Sequence, residues 1–295
     1  MKKLQQQKSF EREEEKGILY LVPTPIGNLE DISFRSLRIL KEVNVIAAED
    51  TRNTKRLCNY FEIDTPLVSY HEHNKKISGP KLIEQLKEGT KIALVSDAGL
   101  PTISDPGYEL VCLAIEEGLT VVPLPGANAA LTALIASGIQ TQPFFFYGFL
   151  QRGKKDKRKE LEQLARQTST LIFYEAPHRL RETLHVMAET LGEERKITLS
   201  RELTKKFEEF VRGTIKEAVV WVESNEVRGE FCLIVEGGSG ELVEDQNSWW
   251  QELSINQHVE HYIHTNNMTS KEAIKQTAKD RDMNKRDVYQ AFHIE

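Results

Sequence analysis

Short apolar runs, each ending in a polar cluster, recur through the first half of the chain. Ile18-Leu19-Tyr20-Leu21-Val22 runs into Pro23-Thr24-Pro25-Ile26-Gly27-Asn28, and Val45-Ile46-Ala47-Ala48 into Glu49-Asp50-Thr51-Arg52. Pro66-Leu67-Val68-Ser69-Tyr70 ends in His71-Glu72-His73-Asn74, and Lys91-Ile92-Ala93-Leu94-Val95 in Ser96-Asp97-Ala98-Gly99. Runs of this length, bounded by turn residues, predict buried strands. Between them, Leu37, Leu40 and Val43 after Ser33, and the apolar positions of Tyr108 to Ile115, repeat at helical spacing. Strands alternating with helices predict an α/β fold whose strand ends gather on one edge of a parallel sheet, the usual ligand crevice.

Leu119-Thr120-Val121-Val122 predicts one more strand, and Pro123-Leu124-Pro125-Gly126 after it reads as a hinge into a second domain. Ala127-Asn128-Ala129-Ala130 then opens a helix, whose first N–H groups are available to an anion or an adenine edge. The second domain reads as more antiparallel. Strands are expected at Phe144–Leu150, Thr170–Tyr174, Lys196–Ser200 and within Phe207–Thr214 and Gly229–Gly237, with a helix near Val219 and Trp221. Gly237-Gly238-Ser239-Gly240 has linker composition. The expected boundaries are a frayed tail at 1–16, α/β domains at 17–122 and 123–238, and a helical appendix at 241–295. In the appendix, His258, His261 and His264 read as surface histidines. Two short helices between Thr269 and Phe292, joined near Asp282-Met283-Asn284, suggest a helix-turn-helix-like, dimerisation or packing element.

Composition narrows the function. A chain of 295 residues with 39% hydrophobic and 28% charged content describes a soluble globular protein with room for two cores. No apolar run is long enough for a membrane span, and Met1 to Lys8 lacks the apolar centre of a secretory signal. Cys58, Cys112 and Cys232 fall in no paired pattern, as expected of reduced thiols in the cytoplasm. A net charge of −6 argues against nonspecific coating of nucleic acid. Against that background Gln151-Arg152-Gly153-Lys154-Lys155-Asp156-Lys157-Arg158-Lys159 stands out as a basic loop passing into a helix. It reads as a place for RNA phosphates, or else as a solvated face. No G-x-G-x-x-G or P-loop occurs, which disfavours NAD and ATP chemistry. His71, Glu72 and His73 have no companion ligand pair, so no metal is expected.

A stretch of a dozen residues rich in Ser, Asp, Gly and Pro, Ser96-Asp97-Ala98-Gly99-Leu100-Pro101-Thr102-Ile103-Ser104-Asp105-Pro106-Gly107, stands where a strand hands over to a helix. Its small residues let backbone approach a ligand, its prolines fix its shape, and Asp97 and Asp105 are suited to accept from an amine or ribose. An ordinary turn with helix-capping aspartates is the plain alternative. With Glu49-Asp50-Thr51-Arg52 and Tyr70-His71-Glu72-His73-Asn74, this stretch resembles the signatures of the ribosomal RNA small subunit methyltransferase I family, among the tetrapyrrole-methylase-like S-adenosylmethionine enzymes.

The resemblance, over roughly Gly17 to Gly237, implies a tetrapyrrole-methylase-like (class III methyltransferase) α/β fold. Two α/β domains would close on a cofactor cleft, with a small C-terminal helical appendix and usually a homodimer. It implies transfer of a methyl group from S-adenosyl-L-methionine to the ribose 2′-hydroxyl of a decoding-centre cytidine in 16S rRNA or the small ribosomal subunit. Carried over position by position, the cofactor residues are Pro25, Ile26, Asp97, Ala98, Gly99, Ile103, Asn128, Ala129, Glu175 and Glu230. The RNA contacts would be Arg152, Lys154, Lys155, Lys157, Arg158 and Lys159. The proton acceptor stays open among Glu49, Asp50, His73, Glu175 and His178, all at strand ends. A small-molecule methyltransferase of the same fold and a nonenzymatic RNA-binding protein are the other readings. The first loop and the 97–101 segment depart from the tetrapyrrole pattern toward the RNA family. The convergence of polar loops exceeds what a binding module needs.

Overall fold

The computed structural model describes residues 4–9, 16–238, 250, 253–266, 268–281 and 283–293. Much of the expected tail, part of the expected linker and Asp282 lie outside them. The residues divide into two compact units, Met1–Ser239 and Gly240–Glu295.

The first unit contains two five-stranded sheets. The first is built from β1 (Ile18–Leu21), α1 (Phe34–Glu42), β2 (Val45–Ala48), α2 (Thr51–Tyr60), β3 (Leu67–Ser69), α3 (Lys75–Lys87), β4 (Ile92–Val95), α4 (Tyr108–Glu116) and β5 (Thr120–Pro123). Its order is β3-β2-β4-β1-β5, with every pairing parallel. One face of the sheet packs Leu19, Ala47 and Leu94 against Leu82 and Leu86 of α3 and Leu110 of α4. The other packs Ile46, Ala48 and Val95 against Ile39 and Leu40 of α1 and Cys58 of α2. Burial on both faces is why these strands read as continuous apolar runs. The chain leaves β1 toward β2 and leaves β4 toward β5, so the loops after these adjacent strands depart to opposite faces. That is the switch point where a doubly wound sheet opens a crevice.

The second sheet comprises β6 (Phe144–Phe149), β7 (Thr170–Glu175), β8 (Lys196–Arg201), β9 (Glu209–Thr214) and β10 (Phe231–Val235), in the order β6-β7-β10-β8-β9. Only β6 and β7 pair in parallel; the other ladders are antiparallel. Helix α5 (Ala129–Ala136) covers one face through Ala130, Ala133 and Leu134 on Ile172 and Ile234. Helices α6 (Lys154–Leu164), α7 (Pro177–Leu191) and α8 (Ile215–Ser224) cover the other through Leu161, Leu184 and Val222.

In the second unit, α9 (Ile255–Thr265), α10 (Ser270–Asp280) and α11 (Lys285–His293) bury Val259, Ala273, Ile274 and Val288 together. Here one expectation is corrected. His258 is fully buried, its ring stacked 5.3 Å from that of Trp250, with Nδ1 accepting from Arg281 Nε at 3.1 Å. Trp250 supplies an apolar cover that helical spacing alone does not reveal.

Candidate functional site

The loops after β1 and β4 are stitched together at the switch point. Thr24 and Gly99 exchange backbone hydrogen bonds of 3.0 and 2.9 Å, and the Thr24 hydroxyl donates to Ser96 O at 3.1 Å. Gly99 holds φ at +78°, and a Cβ there would lie 3.3 Å from Ile26 Cγ2 and 3.4 Å from Ala127 O. Thr102 and Ser104 are also left-handed, at φ 74° and 64°. Each costs about 1 kcal/mol or more without a glycine, so backbone strain is concentrated in this loop. At the far end Gly107 closes the loop where a Cβ would meet Leu94 and Thr102 at 2.8 Å.

This loop forms one wall of a cavity of about 500 Å³ against the second sheet. Ile26, Ala98, Gly99, Ile103 and Asp105 line it from the first half, and Asn128 and Ala129 from the start of α5. Phe149, Tyr174, Glu175, His178, Ser200, Leu203, Glu230 and Cys232 line it from the second half. Asn128 is the N-cap of α5, accepting from the Leu131 N–H at 2.9 Å, and the Tyr174 hydroxyl accepts from the Ala130 N–H at 3.2 Å. The first N–H of the helix, that of Ala129, is taken by neither. Burial pushes the Tyr174 phenol up to about 12, so it stays protonated.

Most expected cofactor positions therefore meet in one cavity, but two do not line it. Pro25 and Asp97 lie in an adjoining groove. The Asp97 carboxylate is engaged there, accepting from the Asp50 N–H at 3.2 Å and Asn53 Nδ2 at 3.0 Å. It ties the end of β4 to the start of α2. Glu230 sits on the rim with its carboxylate 2.9 Å from Lys205 Nζ, which also pairs with Glu202 at 3.0 Å.

The proposed proton acceptors separate further. Asp50 caps α2, accepting from the Arg52 N–H at 2.8 Å, and pairs with the Arg52 guanidinium. That hydrogen bonding holds its carboxyl at about 2, which suits a cap and not a base. Glu49 lines neither the cavity nor the adjoining groove; it accepts from the Asp97 N–H at 3.5 Å, its carboxyl raised by burial and then by Asp97. His73 is exposed on the turn after β3, its ring 6.0 Å from that of His71. Glu175 lines the cavity with both oxygens engaged: Thr183 Oγ1 donates to one at 2.6 Å and the Ala176 N–H to the other at 3.0 Å, with Arg179 Nε 3.2 Å away. His178, exposed in the first turn of α7, also lines the cavity.

Asp105 was absent from the acceptors proposed from sequence, although it stands within the signature stretch. Burial first, and then the charge of Glu49, pushes its carboxyl up to about 7. The signal lay in the spacing of acidic side chains around one sheet edge, which only the fold brings together.

The basic segment is corrected in two respects. From Lys154 it is helix, not loop. Lys157 is fully buried, its Nζ 2.7 Å from Glu182 and 3.0 Å from Thr183 Oγ1, so it offers nothing to a phosphate. Arg158 is half-buried and paired with Glu189, while Arg152, Lys154, Lys155 and Lys159 are exposed. A second basic surface was overlooked. Helix α2 carries Arg52, Lys55 and Arg56 with no acidic residue between Thr51 and Tyr60, a pattern that was readable in the sequence. Among the described residues no group of His, Cys, Asp or Glu is arranged to hold a metal, and no helix is long and apolar enough to cross a membrane.

Comparison with known proteins agrees with this geometry. The sequence profile of the Tetrapyrrole (Corrin/Porphyrin) Methylases matches residues 18–219. The chain is 63% identical to the Ribosomal RNA small subunit methyltransferase I of Bacillus subtilis (strain 168), over 99% of each chain. It is 44% identical to the protein of that name from Synechocystis, over 93% of this chain and 96% of the other. Among solved structures, a cobalt-precorrin-4 methyltransferase superposes with a TM-score of 0.58 at 16% identity, covering 74% of this chain and 94% of that one. A uroporphyrin-III C-methyltransferase from Thermus thermophilus, complexed with S-adenosylhomocysteine, gives 0.54 at 20% identity, covering 75% and 97%. These two likenesses speak to the fold, and the full-length relatives to the branch: the chain belongs to the tetrapyrrole methylase family, within its ribosomal RNA small subunit methyltransferase I group, and is a methyltransferase.

Proposed function

We propose that the chain transfers the methyl group of S-adenosyl-L-methionine to the ribose 2′-hydroxyl of a decoding-centre cytidine in 16S rRNA, acting as a cytoplasmic homodimer on the small ribosomal subunit. The observation that carries the cofactor part is the cavity at the switch point. Its volume of about 500 Å³ lies within the range of small-molecule sites. Its walls are low where a ligand must come close: Ala98, the Cβ-less Gly99 and Ala129 line it beside the apolar Ile26 and Ile103. The free first N–H of α5 and the Asn128 side chain add polar contacts. These residues would hold the cofactor, which supplies a sulfonium methyl whose carbon–sulfur bond breaks as the ribose oxygen takes the carbon.

What the protein must add is alignment and a proton acceptor. A ribose hydroxyl is a weak nucleophile, and its proton leaves as the oxygen–carbon bond forms. We assign that proton to the Asp105 carboxylate. It lines the cavity and is held in a rigid loop, and its affinity for a proton lies near neutrality, where a general base works best. Glu175, with its oxygens already taken, serves instead to fix the β7–α7 wall.

The test is the position of the transferred methyl. Purified protein is reacted with methyl-labelled cofactor and small subunits, and the RNA is hydrolysed in alkali. Alkaline cleavage needs a free 2′-hydroxyl, so label in an alkali-resistant dinucleotide containing cytidine is the expected result. Label found only in mononucleotides would mean a base acceptor and would overturn the 2′-O assignment.

A further inference from the structure

The groove beside the cofactor cavity has a volume of about 440 Å³ and shares Ile26, Ala98, Lys205 and Glu230 with the cavity. Its other side is helix α2, which presents Asn53, Arg56 and Tyr60 to it. These positions fall three and four residues apart, on one stripe of the helix. Tyr60 is 66% exposed, and its ring is propped edge-on by Phe61 at 4.9 Å. Leu29 and Leu57 give the groove an apolar floor. Lys55 and Arg56 are exposed and make no ion pair among the described residues. Thus an exposed aromatic ring, an amide and the Arg56 cation stand together in the groove, with Lys55 exposed next to Arg56 on α2, beside the proposed methyl-donor site. That combination matches an unstacked nucleotide: a ring for the base, an amide for its edge and a cation for its phosphate.

We propose that this groove is the acceptor subsite, taking one splayed-out nucleotide of a single-stranded RNA segment. Its base lies on Tyr60, its edge is read by Asn53 and its flanking phosphates are held by Arg56 and Lys55. The proposal rests on the RNA methyltransferase reading and gives it a place. The ribose of a nucleotide seated here faces the Ile26–Ala98 boundary that the groove shares with the cavity. The hydrogen bonds from Asp50 N–H and Asn53 to Asp97 then position α2 against the end of β4, making Asp97 a positioning residue for the acceptor side.

The experiment measures methyl transfer to small ribosomal subunits lacking the modification, with calorimetric titration of S-adenosylmethionine on the same preparations. Tyr60→Ala should lower kcat/KM for the subunit at least about tenfold, the scale of one lost stacking contact. Cofactor affinity should stay within about twofold. Tyr60→Phe, which keeps the ring, should lose no more than about threefold. Lys55→Gln with Arg56→Gln should weaken binding of a cytidine-containing RNA oligonucleotide and flatten its salt dependence by about 0.7 per phosphate contact. Undiminished kcat/KM in Tyr60→Ala, with the wild type active, overturns the groove and leaves the methyltransferase reading standing. Equal losses in Tyr60→Ala and Tyr60→Phe overturn stacking. A wild type that binds cofactor but methylates no RNA removes the reading and the groove together.

Discussion

The two walls of the cavity each contribute a carboxylate, and they treat it in opposite ways. On the first wall, Asp105 sits in a strained loop, surrounded by the acidic Glu49 and Asp97, and its proton affinity rises to about 7. On the second, Glu175 is almost wholly buried yet accepts from Thr183 and the Ala176 N–H and pairs with Arg179. Behind it, Lys157 donates to Thr183, so the network runs from the cavity wall to helix α6. Burial alone does not decide the fate of an acid. Partners matter too: Asp105, with the Ser96 hydroxyl against two neighbouring acids, has its proton affinity raised, while Glu175, with Thr183, the Ala176 N–H and Arg179 around it, is a fixed part of the wall.

The contrast predicts different failures. Asp105→Asn should lower kcat about a hundredfold or more while the protein stays folded and binds cofactor. Single-turnover transfer checks it, and a loss confined to KM would shift the role to binding. Glu175→Gln should instead cost roughly 3 kcal/mol of stability, because it disturbs a buried pair and leaves Arg179 uncompensated. Thermal or denaturant unfolding gives that figure directly. An Asp105 variant that unfolds while the Glu175 variant only loses rate would reverse the two roles.

Titration sharpens the same comparison. Asp105 accepts a proton only when ionised, so transfer should rise with pH through about 7 and lose that limb in Asp105→Asn. The stability consequence has the opposite sign. A carboxyl whose folded proton affinity is raised is best accommodated protonated, so its contribution is full below the ordinary carboxylate range and is lost as pH rises through about 7. Asp105→Asn should therefore unfold at a higher temperature than wild type at pH 8, the difference closing toward pH 4. Calorimetric scans at both pH values read it.

The smallest effects concern α6. Lys154→Gln, Lys155→Gln and Lys159→Gln together should weaken RNA binding and reduce its salt slope, since these cations are exposed. Lys157→Met should leave RNA binding alone but cost about 1–2 kcal/mol of stability, because it removes one partner only: the buried Thr183 Oγ1 loses its donor, while the half-exposed Glu182 is rehydrated. Filter binding across a salt series separates the two.

The strands and their polar ends were legible because two-sided burial writes continuous apolar runs and solvent-facing loops write polar ones. Boundaries moved where a single residue had a tertiary reason. Strand β5 extends to Pro123 because it is an edge strand, where a missing N–H is tolerated. The basic segment became helix because Lys, Arg and Glu favour it. The burial of Lys157 depends on Glu182 and Thr183, far along the chain, and that of His258 on Trp250. The engagement of Asp97 depends on Asn53. Such partners are chosen by the fold, and no local pattern announces them. The gathering of Glu49, Asp97 and Asp105 around one edge belongs to the same class, which is why a base could be narrowed to strand ends but not chosen.

The most direct test is a calorimetric titration of S-adenosylmethionine into the intact chain and into Ala129→Phe, whose ring would fill the cavity at the start of α5. The wild type should bind one cofactor per chain, and Ala129→Phe, still cooperatively folded, should bind at least about a hundredfold more weakly, roughly 2.7 kcal/mol. Equal affinity in the two proteins, or no binding by the wild type, would contradict the assignment of this cavity as the methyl-donor site.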